Sequence, residues 1–464
     1  TSIHSLMVDC KMRNFARVLC KYNHLFVNGK QAQQQVMPIK SNLKFDQVLC
    51  SPYKKRLMKS LELRKSNIDL SALCIQWGRY LQLREQNQKL LEEKRKLKNQ
   101  QKSSSFKSNV DEFLQEYEDF KVAFDAEEMM FIQNYLNIPN VLSENTPVQS
   151  VSSIVIDAPS ITNQPKSALS LLLNANLIRQ CSDGRYFLLG DAALLERTLI
   201  DNLTKFCLLF GFTLHSNPDT VKSIVLECVG RTVKDAEVVK VRCGIQDHSD
   251  DYAKMNYNQL SIVGSSSIYA FCGYLANMLV TSDRYLPLKL FNVGRCYSAT
   301  KSKQVTHPIC CDAVIVSLDE SHANAVEKIM VTLFESLGLG LRVTQKSVAD
   351  LEQWESDKKS YEVYNYISHQ YDELGCIVNT GDYITSRMNT QYCHTQGKVR
   401  NLHNPSLLYA RLMNIEELLV KLIEKQYAKD GSLDLKSIIE DLNSNFGSNK
   451  NDDSCELSKK ELLS

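Results

Sequence analysis

Binding a phosphate takes cations on a polar loop or helix face, and two stretches of this chain offer them. NVGRCYSATKSK (292–303) follows the apolar run Leu286 to Phe291 and brings Arg295, Tyr297, Lys301 and Lys303 to a point where a strand would give way to a loop. A nucleotide could be held there. The run Arg79, Arg84, Lys89, Lys94, Arg95, Lys96 and Lys98 could instead track a nucleic-acid backbone. Other chemistry is not signalled: the sequence has no GxxxxGK[ST], no GxGxxG after a strand, no HExxH and no GxSxG. Gly338 and Gly340 in SLGLGLRV fit the end of a helix and the start of a strand. The 15 cysteines include no CxxC pair, so neither a disulfide framework nor a zinc ribbon is indicated. His307 with Cys310 and Cys311, and Cys393 with His394, are close groupings, but adjacent cysteines do not by themselves complete a tetrahedral site. Neither a metal nor a cofactor is expected.

The elements that must position these residues are clearest in the first third. YLQLREQNQKLLEEKRKLKNQ (80–100) is made of strong helix formers, and SSSFKSN (103–109) is a polar break. Beyond it Val110, Phe113, Tyr117, Phe120, Phe124 and Phe131 recur at steps of three and four, apart from a skip near Glu127 and Glu128. Two helices of similar length across a short loop predict an antiparallel hairpin of about 40 to 45 Å at 1.5 Å per residue. Residues 75–107 carry nine basic and three acidic side chains, whereas 108–137 carry eight acidic ones. Mutual pairing of the helices and a phosphate-tracking face are both open. Pro139 and Pro147 end the hairpin.

From there, strand-like runs (186–189, 238–241, 260–263, 288–291, 313–317, 361–366, 374–378) mix with helical patterns (192–210, 268–280, 322–337, 407–425). Strands follow strands without regular alternation, which predicts an α+β fold with an antiparallel sheet flanked by helices. The tail from 426 is polar and expected to be mobile.

Apolar content of 43%, charged content of 23% and the absence of any run near ~18 apolar residues exclude a helical membrane span. The first 65 residues hold thirteen Lys or Arg against three Asp or Glu, and MRNFARVLCKYNHLF (12–26) is basic and amphipathic. This is the pattern of a mitochondrial leader, with Met12 a candidate start. The expected organisation is a leader at 1–45, a helical arm at 46–140, a core at 141–425 and a tail at 426–464.

After the hairpin, LNIPNVLSENTPV, FLLGDAALLERTLIDNLTKFCLLFGFT, NQLSIVGSSSIYAFCGYLANML, FNVGRCYSAT and NPSLLYARLM follow in an order that resembles seryl-tRNA synthetase, especially the mitochondrial animal type, over about residues 70–425. The resemblance implies a tRNA-binding coiled-coil arm, a class II catalytic domain built on an antiparallel sheet, and a dimer. It also exposes departures. The family's Thr-x-Glu, whose carboxylate receives the serine ammonium group, is replaced at Ser265 and Ser267. Where the mitochondrial pattern reads Cys-Tyr-Arg-Ala-Glu, this chain has Cys296, Tyr297, Ser298, Ala299 and Thr300, so the arginine for the α-phosphate and the glutamate for adenine are missing. Gln304 takes the place of a further arginine, and Asp312 that of a glutamate. In YDELGCIVNTGDYITSR (371–387), Tyr371, Glu373, Asn379, Asp382 and Arg387 match the family, while Gly375, Cys376 and Ile384 replace two serines and a glutamine. Asn404, Ser406 and Arg411 match the third motif, with Pro405 in place of a glycine and one residue fewer before Arg411.

Losing one preorganised transition-state donor costs on the order of 10² to 10³ in rate. Losing several together is expected to abolish serine activation, even without additivity. A chain that keeps arm and scaffold but not the pocket resembles a catalytically silent insect mitochondrial paralogue of the enzyme. That resemblance implies a heterodimer with the authentic mitochondrial seryl-tRNA synthetase in the matrix, with Arg79 to Lys98 contacting tRNA and no membrane association. Two alternatives stay open: a class II ATP-dependent enzyme with an altered substrate, and a homodimeric mitochondrial nucleic-acid-binding protein.

Overall fold

The computed structural model describes residues 43–50, 52–100, 107–181, 186–231, 238–241, 260–299, 305–319, 322–396 and 399–448. These form two compact units that divide between Val141 and Leu142. Most of the expected leader, together with Thr300, Lys301, Lys303 and Gln304, lies outside the described residues.

In the first unit, helices Phe45–Cys50 and Tyr53–Leu63 precede the long pair α1 (Leu70–Gln100) and α2 (Lys107–Leu136). The first long helix starts ten residues before the sequence pattern suggests, because Asp69 caps it: its Oδ1 accepts the N–H groups of Ser71 at 2.8 Å and Ala72 at 3.0 Å. The pair is antiparallel, with Tyr80 against Glu128 and Lys94 against Glu118. Tyr117, Phe124 and Phe131 are buried along the seam at seven-residue steps. Trp77 and Tyr80 stack on Phe131 with ring centroids 5.1 and 5.7 Å away, and Phe45 closes this aromatic end of the hairpin against Trp77 and Tyr135.

The second unit is built on an eight-stranded sheet. Its strands are β1 (Val151–Ile156), β2 (Thr213–Leu214), β3 (Leu288–Arg295), β4 (Ile309–Ser317), β5 (Leu341–Gln345), β6 (Asp357–Asn365), β7 (Gln370–Asn379) and β8 (Ser406–Asn414), in the order β1-β5-β6-β7-β8-β4-β3-β2. All neighbours pair antiparallel except β2, which runs parallel to β3. Strand alternation gives the sheet two chemically distinct faces. Cys311, Ala313 and Ile315 of β4 join Leu408, Ala410 and Leu412 of β8 in the main core, beneath α3 (Gly190–Leu209), α5 (His322–Ser336), α6 (Ile415–Asp430) and α7 (Leu435–Ser448). Cys310, Asp312, Tyr409 and Arg411 alternate with them, as does Cys376 of β7 beside Arg411, and helix α4 (Ile268–Leu275) begins on that side, its Ile268 and Tyr269 lining one pocket with Tyr409 and Arg411.

Three expectations are corrected. Residues 407–414 are strand, not helix: LLYARLMN sits in the middle of the sheet, where both faces are covered and apolar periodicity cannot separate strand from helix. The helix begins only after Asn414, whose side-chain oxygen accepts the Glu417 N–H at 3.3 Å. The helix expected over 268–280 ends at Leu275, and Leu279–Val280 pairs with the strand Gln391–Gln396. The tail is not polar throughout: Leu435, Ile438 and Leu442 at steps of three and four bury one face of α7, and Phe446 meets Phe206 edge-on.

Candidate functional site

The motif around 292–303 is a strand for its first four residues, not a loop. Beyond Arg295, Ser298–Ala299 forms a short ladder with Val305–Thr306. A cavity of about 310 Å³ opens beside this ladder, lined in part by Ser267, Cys296, Tyr297, Ser298, Tyr409 and Arg411. The fold therefore brings Ser267, Ser298 and Arg411 from three separate motifs to one place.

Arg411 does not extend freely into that cavity. Its Nε donates to Asp312 Oδ1 at 3.1 Å and its Nη2 to Oδ2 at 3.2 Å, a forked pair on a carboxylate with no exposed surface. Tyr409 donates to the same carboxylate at 2.5 Å. Burial pushes the Asp312 carboxyl up, with Arg411 and Tyr409 opposing. The Cys296 Sγ lies 3.8 Å from Asp312 Oδ2, and a hydrogen bond with Cys310 together with burial raises its thiol well above the usual range. Cys376 pairs with Arg411 across the sheet, and burial pushes its thiol up to about 12.

The serine loop is fixed by its own hydrogen bonds. Gly264, at φ +89°, lies so close to β3 that a Cβ would sit 1.9 Å from the Arg295 carbonyl oxygen. Asp219 accepts the Ser265 N–H at 2.8 Å, and Asn292 donates to the Ser265 carbonyl at 2.7 Å. Ser267 caps α4: its hydroxyl donates to the Gly264 carbonyl at 2.8 Å and accepts from the Ala270 N–H at 3.4 Å. Arg295, the last residue of β3 and three before Ser298, donates to His307 Nδ1 at 3.1 Å and to the His307 carbonyl at 3.0 Å. His307 is thus engaged away from Cys310, and Cys311 faces Cys207 of α3 with sulfurs 3.7 Å apart, so the three do not form one cluster.

The other matched positions are dispersed. Glu373 is approached by Lys358 at 3.1 Å and Lys346 at 3.8 Å, and accepts the Ser360 hydroxyl at 2.6 Å. Gly375 lies under β8, where a Cβ would meet the Arg411 carbonyl oxygen at 2.7 Å. Asn379 and Ser406 share a different, small pocket with His322 and Asp319. Ile384 is fully buried, Arg387 lies over the Tyr383 ring at 3.8 Å, and Asn404 donates to the Thr390 carbonyl at 2.9 Å. Sequence reasoning missed Arg231 and Glu352, which form a 2.7 Å ion pair on the cavity wall. They lie in unrelated stretches, so no local pattern joins them.

On the hairpin the basic residues divide. Lys94 pairs with Glu118 at 3.2 Å and lies 4.0 Å over the Tyr117 ring, Arg79 reaches Glu127 at 3.6 Å, and Lys89 pairs with Glu85 of its own helix at 2.8 Å. Arg84 is half-buried, while Arg95 and Lys96 are exposed and make no ion pair among the described residues. Lys98 lies outside the described side chains.

Comparison with known proteins accounts for this arrangement. Residues 256–426 match the tRNA synthetase class II core domain (G, H, P, S and T). The chain is 22% identical over 414 residues to the serine-tRNA synthetase-like protein Slimp of Drosophila melanogaster, covering 83% of this chain and 86% of that protein. It is 23% identical over 430 residues to the mitochondrial serine-tRNA ligase of Bos taurus, covering 83% and 80%. In fold it is similar to the seryl-tRNA synthetase of Pyrococcus horikoshii complexed with ATP, with a TM-score of 0.70, 16% identity, and coverage of 87% of this chain and 98% of the other. No described helix is long and apolar enough to cross a membrane. The chain therefore carries a class II tRNA synthetase core within a seryl-tRNA synthetase-type fold.

Proposed function

We propose that the protein is a non-catalytic seryl-tRNA synthetase-like subunit that pairs with an authentic mitochondrial seryl-tRNA synthetase, stabilises it and supports its use of tRNA in mitochondrial translation. The observation that carries this reading is the state of the cavity. Ser298 stands where the family's phosphate-binding arginine is expected, the Ser267 hydroxyl caps a helix, and Arg411 is forked onto Asp312. A hydroxyl cannot replace a bidentate guanidinium at a phosphate. The degenerate positions Ser265, Thr300, Gln304, Gly375, Cys376 and Ile384 fit the same reading, and Glu373 is neutralised by lysines.

An exposed surface supports a partner. Strand β1 is an edge of the large sheet, and its Val151, Ile154 and Val155 are 62%, 60% and 47% exposed. An edge strand carrying apolar side chains is ordinarily covered in the functional assembly. The matrix location rests on the basic leader and on relatives that include mitochondrial ligases of cow and mouse. ATP-dependent pyrophosphate exchange across a panel of amino acids tests the loss of catalysis, and the expected result is no exchange. A second reading, a class II-type enzyme with an altered substrate, draws on the persistence of the cavity with Arg231 and Glu352 on its wall. Robust exchange with any amino acid would select it.

A further inference from the structure

Behind the cavity wall, reached through Cys296, lies a donor set that the proposed role does not use. Cys296, Cys310 and Asp312 are all buried, and one ligand atom from each lies within 4.8 Å of the others. The Cys296 Sγ to Asp312 Oδ2 distance of 3.8 Å is close to the edge of a tetrahedron drawn around a zinc-sized ion. With a metal–sulfur bond of about 2.3 Å and a metal–oxygen bond of about 2.1 Å that edge is about 3.6 Å. We propose that Cys296, Cys310 and Asp312 form a site for one thiophilic divalent cation of the zinc class, with water from the adjoining cavity completing its coordination.

Four further observations suit this assignment. Cys310 and Asp312 lie on β4, and Cys296 directly follows the last residue of the neighbouring β3, its N–H held by the Pro308 carbonyl at 2.9 Å, so their spacing is set by hydrogen-bonded backbone. Cys310 and Asp312 are two residues apart on β4 and share a face, while Cys311 between them points into the core. Cys296 lines the cavity, which supplies an entry path. The carboxylate has its outer partners in place: the Tyr409 hydroxyl and the Arg411 guanidinium both hydrogen-bond it, the supporting shell that orients a ligating carboxylate. The charges also close. Two thiolates and a carboxylate balance a divalent ion together with Arg411, so a loaded site carries no net charge.

The test is titration of the full-length reduced protein with Co²⁺, read by sulfur-to-metal charge-transfer and tetrahedral d–d absorption. The bands are expected to saturate at one Co²⁺ per chain and to be bleached by Zn²⁺. Cys296→Ser and Cys310→Ser are each expected to weaken binding by about 100-fold or more, and Tyr409→Phe by about 10- to 100-fold. Cys393→Ser, at a buried cysteine outside the cluster, is expected to leave the bands intact. Absence of the bands in the wild-type protein, or their survival in the Cys296→Ser/Cys310→Ser double variant, overturns the proposal. Should the serine variants not fold, alkylation of the wild type mapped by mass spectrometry decides. Zn²⁺ is expected to shield Cys296, which lines the cavity, but not the half-buried Cys181, and equal labelling of Cys296 with and without Zn²⁺ overturns the site.

Discussion

Arg411 of β8 forks onto Asp312 of the neighbouring strand β4, at 3.1 and 3.2 Å, and the carboxylate it meets has no exposed surface. One of the family-matching cations at the cavity is thereby tied to the sheet. Removing one partner of such a pair leaves a buried charge without compensation, which typically costs about 3 to 5 kcal/mol. Arg411→Met is expected to lose that much in urea unfolding, and Asp312→Asn/Arg411→Met to recover most of it. Equal losses in the single and double variants would show that the pair is not the source.

Gly375 leaves no room for a side chain. A side chain there would drive its Cβ to 2.7 Å from the Arg411 carbonyl oxygen and equally close to Met330. Gly375→Ser, which restores the residue type the family resemblance implies, is expected to destabilise by about 1 to 3 kcal/mol. It should also leave amino-acid activation absent. Differential scanning calorimetry reads the first effect, and an unchanged melting temperature would contradict it.

The hairpin separates its basic residues by use. Arg95 and Lys96 are exposed, whereas Lys94 is engaged with Glu118 and Tyr117. If the arm contacts tRNA, Arg95→Glu/Lys96→Glu should weaken binding and make the dependence of log K on log salt shallower by about 2. Lys94→Met should chiefly lower hairpin stability. An unchanged salt slope in the charge-reversal variant would remove the phosphate-tracking role from these residues.

A pH effect follows from Glu355. Burial holds its carboxyl up at about 7, against an ordinary 4.5, with the Glu352 N–H and Lys358 opposing. A carboxyl raised in the folded state contributes stability that is fully present below its unfolded value and is lost as pH rises through about 7. Glu355→Gln is therefore expected to gain stability relative to wild type between pH 4.5 and 8, on the order of 3 kcal/mol. Chemical unfolding at both ends of that range checks it. A difference that does not change with pH would contradict it.

The sequence made the hairpin legible because Tyr117, Phe124 and Phe131 keep a helical repeat, and it made the antiparallel sheet legible because strand-like runs follow one another without regular helix alternation. It misplaced LLYARLMN because a strand buried on both faces has lost the alternation that would identify it. The positions of Ser267, Ser298 and Arg411 could be read only through a family resemblance, and the cavity that unites them needed the fold. Arg231 with Glu352, and Cys296 with Asp312, are pairings of tertiary structure. Nothing in their local sequence spacing announces them.

Whether this chain is a silent subunit paired with an active one is read from mass by light scattering after mixing the protein with mitochondrial seryl-tRNA synthetase. A one-to-one complex is expected to form at the expense of both homodimers and to be lost when Val151 and Ile154 on the exposed edge strand are changed to lysine. Two unchanged homodimers would contradict it.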